Sequence, residues 1–85
     1  MKIYWFEGSK NIIGKRVKEA RQKLIPPLTQ FDLSARLGVI GLSIDRVSIS
    51  KIESGDRFVP DYEVVAIAKV LGVSINWLLT SEDSY

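Results

Sequence analysis

The 85-residue chain contains no cysteine and no histidine. The first absence removes disulfide staples and thiolate metal sites. The second removes the side chain most used for acid–base work near neutral pH. There is no Gly-rich phosphate loop and no carboxylate cluster with ligand spacing, so no enzymatic activity, metal or cofactor is expected. No apolar run approaches the ~20 residues that a membrane-spanning helix needs. The opening Met-Lys-Ile-Tyr-Trp-Phe-Glu-Gly is too short and too quickly interrupted by charge to read as a signal peptide. These features fit a cytoplasmic protein without membrane association. Repeats, low-complexity segments and internal linkers are also missing.

What remains fits one small domain. Apolar residues make up 46% of the chain, enough for a modest core that must pack efficiently or gain a partner. The net charge of +2 hides an uneven distribution. Residues 10–57 carry ten Lys/Arg against five Asp/Glu, a net +5, whereas residues 58–85 carry one Lys against four acids, a net −3. A basic segment of this kind is the footprint expected of a phosphate-binding surface, although short helical domains also show uneven charge by chance.

The apolar periodicity predicts an all-α domain. Helix one is expected to begin near Ser9 or Asn11, to bury Ile13, Val17, Ala20 and Leu24, and to stop before Pro26-Pro27. Helix two is expected over residues 30–37, with Thr29 as N-cap, Asp32 in the first turn, Leu28, Leu33 and Leu37 inward, and Gly38 as the stop. Helix three should start after Asp45, bury Ile49 and Ile52, and end at Ser54-Gly55. Helix four should open at Pro60-Asp61 with Asp61 as cap, bury Val64, Ile67, Ala68 and Leu71, and close at Gly72. Ser74 should cap a short last helix containing Ile75, Trp77, Leu78 and Leu79, of which Trp77 and Leu79 are either core or a dimer surface. Residues 1–10 read as an N-terminal arm, residues 11–79 as the domain and residues 80–85 as a polar tail. The adjacent aromatics Tyr4, Trp5 and Phe6 suit an arm folded onto the core or a dimer contact.

Residues 28–60 hold two short amphipathic helices separated by a turn, the second opened by basic and hydroxyl side chains. This is the layout of a helix-turn-helix, whose second helix enters the DNA major groove. The segments Ile13–Arg21, Leu28–Gly38, Ile49–Gly55 and Ala68–Leu79 together resemble the phage-repressor-like (Xre-type) helix-turn-helix family. The resemblance implies a compact five-helix DNA-binding domain acting as a transcription regulator, expected to be a repressor, on double-stranded operator DNA as a homodimer. It places Arg46, Val47, Ser50 and Lys51 where the recognition helix faces base edges. It places Gln30 and Arg57 at the phosphate backbone, and pairs Arg21 with Glu53 in a structural salt bridge. The sequence departs from the family at Val39-Ile40-Gly41-Leu42-Ser43, five apparent extra residues that lengthen the turn. Residues so apolar are expected to pack, with Ile40 or Leu42 buried, either as an extension of the core or onto Phe31, which falls outside the stripe of helix two.

The chemistry of these side chains leaves some roles open. Arg46 suits guanine O6 and N7 or a phosphate, Lys51 base or phosphate, Val47 a thymine methyl, and Ser50 close approach. Gln30 suits a phosphate at a helix N-terminus, or a solvated helix start. Two other functions compete with the regulator. An antitoxin would bind similar DNA and also a toxin or regulator protein. A helical protein-interaction module would have lost DNA binding, against which Arg46 and Lys51 argue.

Overall fold

The computed structural model describes residues 8–80, which form α1 (Gly14–Lys23), α2 (Gln30–Val39), α3 (Arg46–Ser54), α4 (Asp61–Leu71) and α5 (Ile75–Thr80). The aromatic arm at Tyr4–Phe6 and the tail beyond Thr80 lie outside the described residues. One contiguous core draws on all five helices. Ile13 and Val17, Leu33 and Leu37, Ile49 and Ile52, Ile67, and Leu78 are its most deeply buried large side chains. α1 packs against α3 and α4, α2 against α3 and α4, and α5 against α4. Trp77 is core, while Leu79 is only partly covered.

Local chemistry fixes most helix ends. Thr29 Oγ1 accepts from Asp32 N at 3.0 Å while Thr29 N donates to Asp32 Oδ2 at 3.1 Å, a reciprocal capping box at the start of α2. Asp45 Oδ1 accepts from Ser48 N at 2.7 Å and opens α3. Ser74 Oγ accepts from Trp77 N at 2.9 Å and opens α5.

Three expected boundaries are corrected. α1 starts at Gly14 with Ile13 in the cap position. Asn11 still serves the end from outside, because its Oδ1 accepts from both Ile13 N and Gly14 N. α4 is capped positionally by Pro60, whose φ of −65° and ψ of 159° suit that role. Asp61 is the first helical residue and makes no cap bond; with Glu63 it instead places negative charge at the positive helix end.

The third correction concerns the turn. α2 does not stop at Gly38 but runs to Val39. Its closing glycine is Gly41, at φ +92°. Gly41 N donates to Gly38 O at 3.1 Å and Leu42 N to Leu37 O at 2.9 Å, the paired bonds of a Schellman motif. That motif favours an apolar contact between the residue after the glycine and the one five positions before it. Leu42 and Leu37 form an apolar pair at those positions, and Leu42 packs against the core. Closing at Gly38 would instead have matched Val39 with Ser34. The apparent insertion is thereby reduced, since Val39 belongs to the helix. Ile40 stays 46% exposed, and Phe31 sits nine residues earlier, at the opposite end of α2. No satellite core of Ile40, Leu42 and Phe31 forms. The turn is held instead by its backbone bonds, by Leu42, by buried Ile44, and by Ser34 Oγ donating to Ile44 O at 2.6 Å.

Candidate nucleic-acid interface

α2, the turn and α3 set the geometry of the surface. α3 buries Ile49 and Ile52, so its helical period turns Arg46, Val47, Ser50 and Lys51 to the opposite side. All four are exposed, Val47 at 53%. Arg46 and Val47 stand one turn from Ser50 and Lys51, so guanidinium, isopropyl, hydroxyl and ammonium groups share one outer face. The side chains of Arg46 and Lys51 make no hydrogen bond or ion pair among the described residues. Asp45 beneath them is held below its ordinary pKa, first by its bond from the Ser48 amide. It therefore stays ionised at the positive end of α3.

The C-terminal end of α3 is tied into the rest of the molecule. Glu53 is largely enclosed; its Oε2 accepts from Arg21 Nε at 2.8 Å and its Oε1 from Arg21 Nη2 at 3.0 Å. Arg21, itself buried, also donates from Nη1 to Leu28 O at 2.8 Å. Glu53 Oε1 takes a third bond from Gln30 Nε2 at 3.0 Å. One carboxylate thus connects α1, the first residue of α2 and the last turn of α3. The link leaves Gln30 with its amide oriented and its oxygen unbonded to the chain. The first-turn amides of Gln30 and Phe31 also make no bond within the described chain, since Thr29 Oγ1 serves Asp32 and Thr29 O serves Leu33.

Arg57 has a different environment from the one sequence suggests. Its Nη1 lies 2.7 Å from Glu63 Oε1 and its Nη2 donates to Glu63 Oε2 at 3.3 Å. Hydrogen bonding to Glu63 raises its pKa above the ordinary arginine value. Much of its charge is thus met inside the protein, where it ties the α3–α4 loop to α4. Glu63 carried a usable signal: it shares the inward side of α4 with Ile67, and a buried carboxylate requires a cation.

Two further contacts escaped sequence reasoning because the partners are far away in the chain. Asn11 Nδ2 donates to Ile52 O at 3.1 Å and to Arg57 O at 2.8 Å. Gly14 lies so close to α3 that a Cβ there would collide with the carbonyl oxygens of Ile52 and Glu53. Both join the start of α1 to the end of α3. Among the described residues no group of three or more acidic side chains is placed to hold a metal ion, and no helix is long and apolar enough to cross a membrane.

A helix pair of this form, with an exposed mixed face on the second helix, coincides with a family model. The model describes a helix-turn-helix domain and matches residues 14–84. The chain belongs to this helix-turn-helix family. No curated protein sequence matches it. Among solved structures, this helix-turn-helix domain is similar to the P22 c2 repressor protein, crystallised in complex with synthetic operator 9T in the presence of Tl+. The two share 25% identity over 85% of this chain and 98% of that chain, with a TM-score of 0.68.

Proposed function

We propose that the protein is a sequence-specific double-stranded DNA-binding transcription regulator that lays α3 in the major groove. The observation that carries this reading is the outer face of α3. It offers a guanidinium, an ammonium, a hydroxyl and an isopropyl group to an outside partner, on a helix anchored at its other end. The similarity to a repressor crystallised with its operator supports the same reading.

Within it, Arg46 reads guanine O6 and N7, and Val47 lies against a thymine methyl. Ser50 permits close approach, and Lys51 reaches a base or the adjoining phosphate. Gln30 and the open amides at the start of α2 hold a phosphate, with Glu53 orienting the Gln30 amide. Arg57 supports the loop beside the backbone, and its charge contributes less than that of Arg46 because Glu63 meets it. The protein binds a twofold site as a homodimer and acts as a repressor.

Selection of bound sites from random duplex DNA tests the reading, with a palindromic motif as the expected result. On the selected site, neutralising about four to six phosphates per dimer gives a slope of log K against log salt of roughly −4 to −5. Recovery of no motif, with binding insensitive to salt, overturns the proposal.

A further inference from the structure

The Phe31 side chain has no place in the core and no role in the reading above. It is the second residue of α2 and is 67% exposed, although its neighbours all have structural tasks. Leu28 is buried, Thr29 caps the helix, and Gln30 bonds to Glu53. The long turn does not use it either, because Phe31 and Ile40 lie nine positions apart along the helix, about 13 Å of rise. Its ring instead borders a shallow depression shared with Pro27, Thr29, Gln30 and Arg46. That depression joins the start of α2, assigned above to a phosphate, to the first residue of α3, assigned to a base edge.

A DNA strand alternates an anionic phosphate with the apolar face of a deoxyribose. The adjacent pair Gln30 and Phe31 offers the matching alternation of a polar amide and an apolar ring. We propose that Phe31 packs against the deoxyribose next to the phosphate held by Gln30. It is then an apolar backbone contact that fixes how deeply α3 enters the groove. The proposal rests on the DNA-binding reading and deepens it. The contact releases no counterion and touches no base edge. It therefore adds affinity without adding salt dependence or sequence preference.

The test compares the full chain with Phe31→Ala and Phe31→Leu on the selected duplex and on a set of its single-base-pair variants, over a range of salt. Melting temperature is measured in parallel. Phe31→Ala is expected to weaken binding about tenfold, close to 1.4 kcal/mol, by the same factor on every duplex. The salt slope and melting temperature stay unchanged, and Phe31→Leu recovers part of the loss. A loss confined to one base-pair position overturns the sugar contact in favour of a base methyl. Unchanged affinity in Phe31→Ala, with the parent binding normally, overturns this proposal alone and leaves Phe31 as a surface for another partner. A parent that binds no duplex overturns this proposal together with the reading beneath it.

Discussion

At its C-terminal end α3 is gripped by three other parts of the chain. Glu53 takes Arg21 and Gln30, the Ile52 carbonyl takes the Asn11 amide, and Lys10 N donates to Gly55 O at 2.8 Å. On its outer face, Arg46, Val47, Ser50 and Lys51 are exposed, and the Arg46 and Lys51 side chains meet no hydrogen-bonding or ionic partner among the described residues. The difference separates two requirements of a reading head. The frame must be over-determined, so that binding loses little further backbone entropy. The reading side chains must be unpaired, so that their hydrogen bonds are made with DNA rather than exchanged for internal ones. Both are met within a helix of nine residues.

The sharpest way to break this contrast is to loosen the gripped end. Glu53→Ala removes the carboxylate and leaves the Arg21 guanidinium buried without its counter-ion. Removing one partner of such a pair costs about 3–5 kcal/mol, the largest effect expected here. Urea unfolding would show it as a lower midpoint. DNA binding by the fraction still folded should also weaken, because Gln30 loses its anchor. A midpoint within error of the parent would mean that the Arg21–Glu53 bonds add nothing to the frame.

The opposite behaviour is expected of the free face. Arg46→Ala should cost about 1–3 kcal/mol of specific binding and relax preference at one base pair per half-site. The unfolding midpoint should not move, since Arg46 is exposed and makes no hydrogen bond or ion pair with the described chain. Affinity comes from titration on the selected site and its variants. A uniform loss across sequences would move Arg46 from base reading to phosphate contact, and a fall in stability would remove the distinction between the two ends of α3.

The same division marks what was legible in the sequence. Thr29–Asp32, Asp45 and Ser74 were readable as caps because a cap bond spans only three residues, and the apolar stripes were readable because a helix repeats within four. Glu53 and Arg21 came only through family resemblance, for nothing local brings residues 32 positions apart together. The reach of Asn11 to Ile52 O and the close approach of Gly14 were opaque for the same reason: each is set by α3, some 40 residues away. Gly38 was expected as the stop, yet Gly41 takes that role. The choice depended on which one lets the next residue pack back onto the helix, so Leu42 decided it.

The turn offers a finer test. Leu42 packs against the core, whereas Ile40 is nearly half exposed. Leu42→Ser should therefore destabilise the domain by about 1–2 kcal/mol, part of the 1.5–3 for a fully buried leucine. Ile40→Ser should stay within about 0.5 kcal/mol, as most surface changes do. Thermal or urea unfolding of the two single variants measures the ratio. Equal losses would restore the idea of a turn packed as one apolar unit. If Ile40→Ser left stability intact but reduced operator affinity, the turn would belong to the interface rather than to the frame.

The smallest effect lies in the caps at the free end. Asp45 at α3 and Asp32 at α2 both titrate below the ordinary aspartate value, chiefly through the backbone bonds with Ser48 and Thr29. A depressed folded pKa means that the cap's contribution is fully present above the unfolded value, ~4 for aspartate, and disappears as pH falls through the lower folded value. Acid should therefore release the first turns of α2 and α3 over that window. Both carboxylates are solvent-accessible, so the change is local fraying rather than collapse of the core. Hydrogen exchange at the Ser48 amide reads it directly, once corrected for the intrinsic pH dependence of exchange. Protection at Ser48 should fall as the pH drops below the ordinary aspartate value, ~4, towards the acid limit of folding. Asp45→Asn supplies a cap that does not titrate, and in that variant the Ser48 protection should stay level over the same range. If parent and variant lost protection together, the acid response would come from the gripped end of the helix, and the N-terminal cap would not be its source.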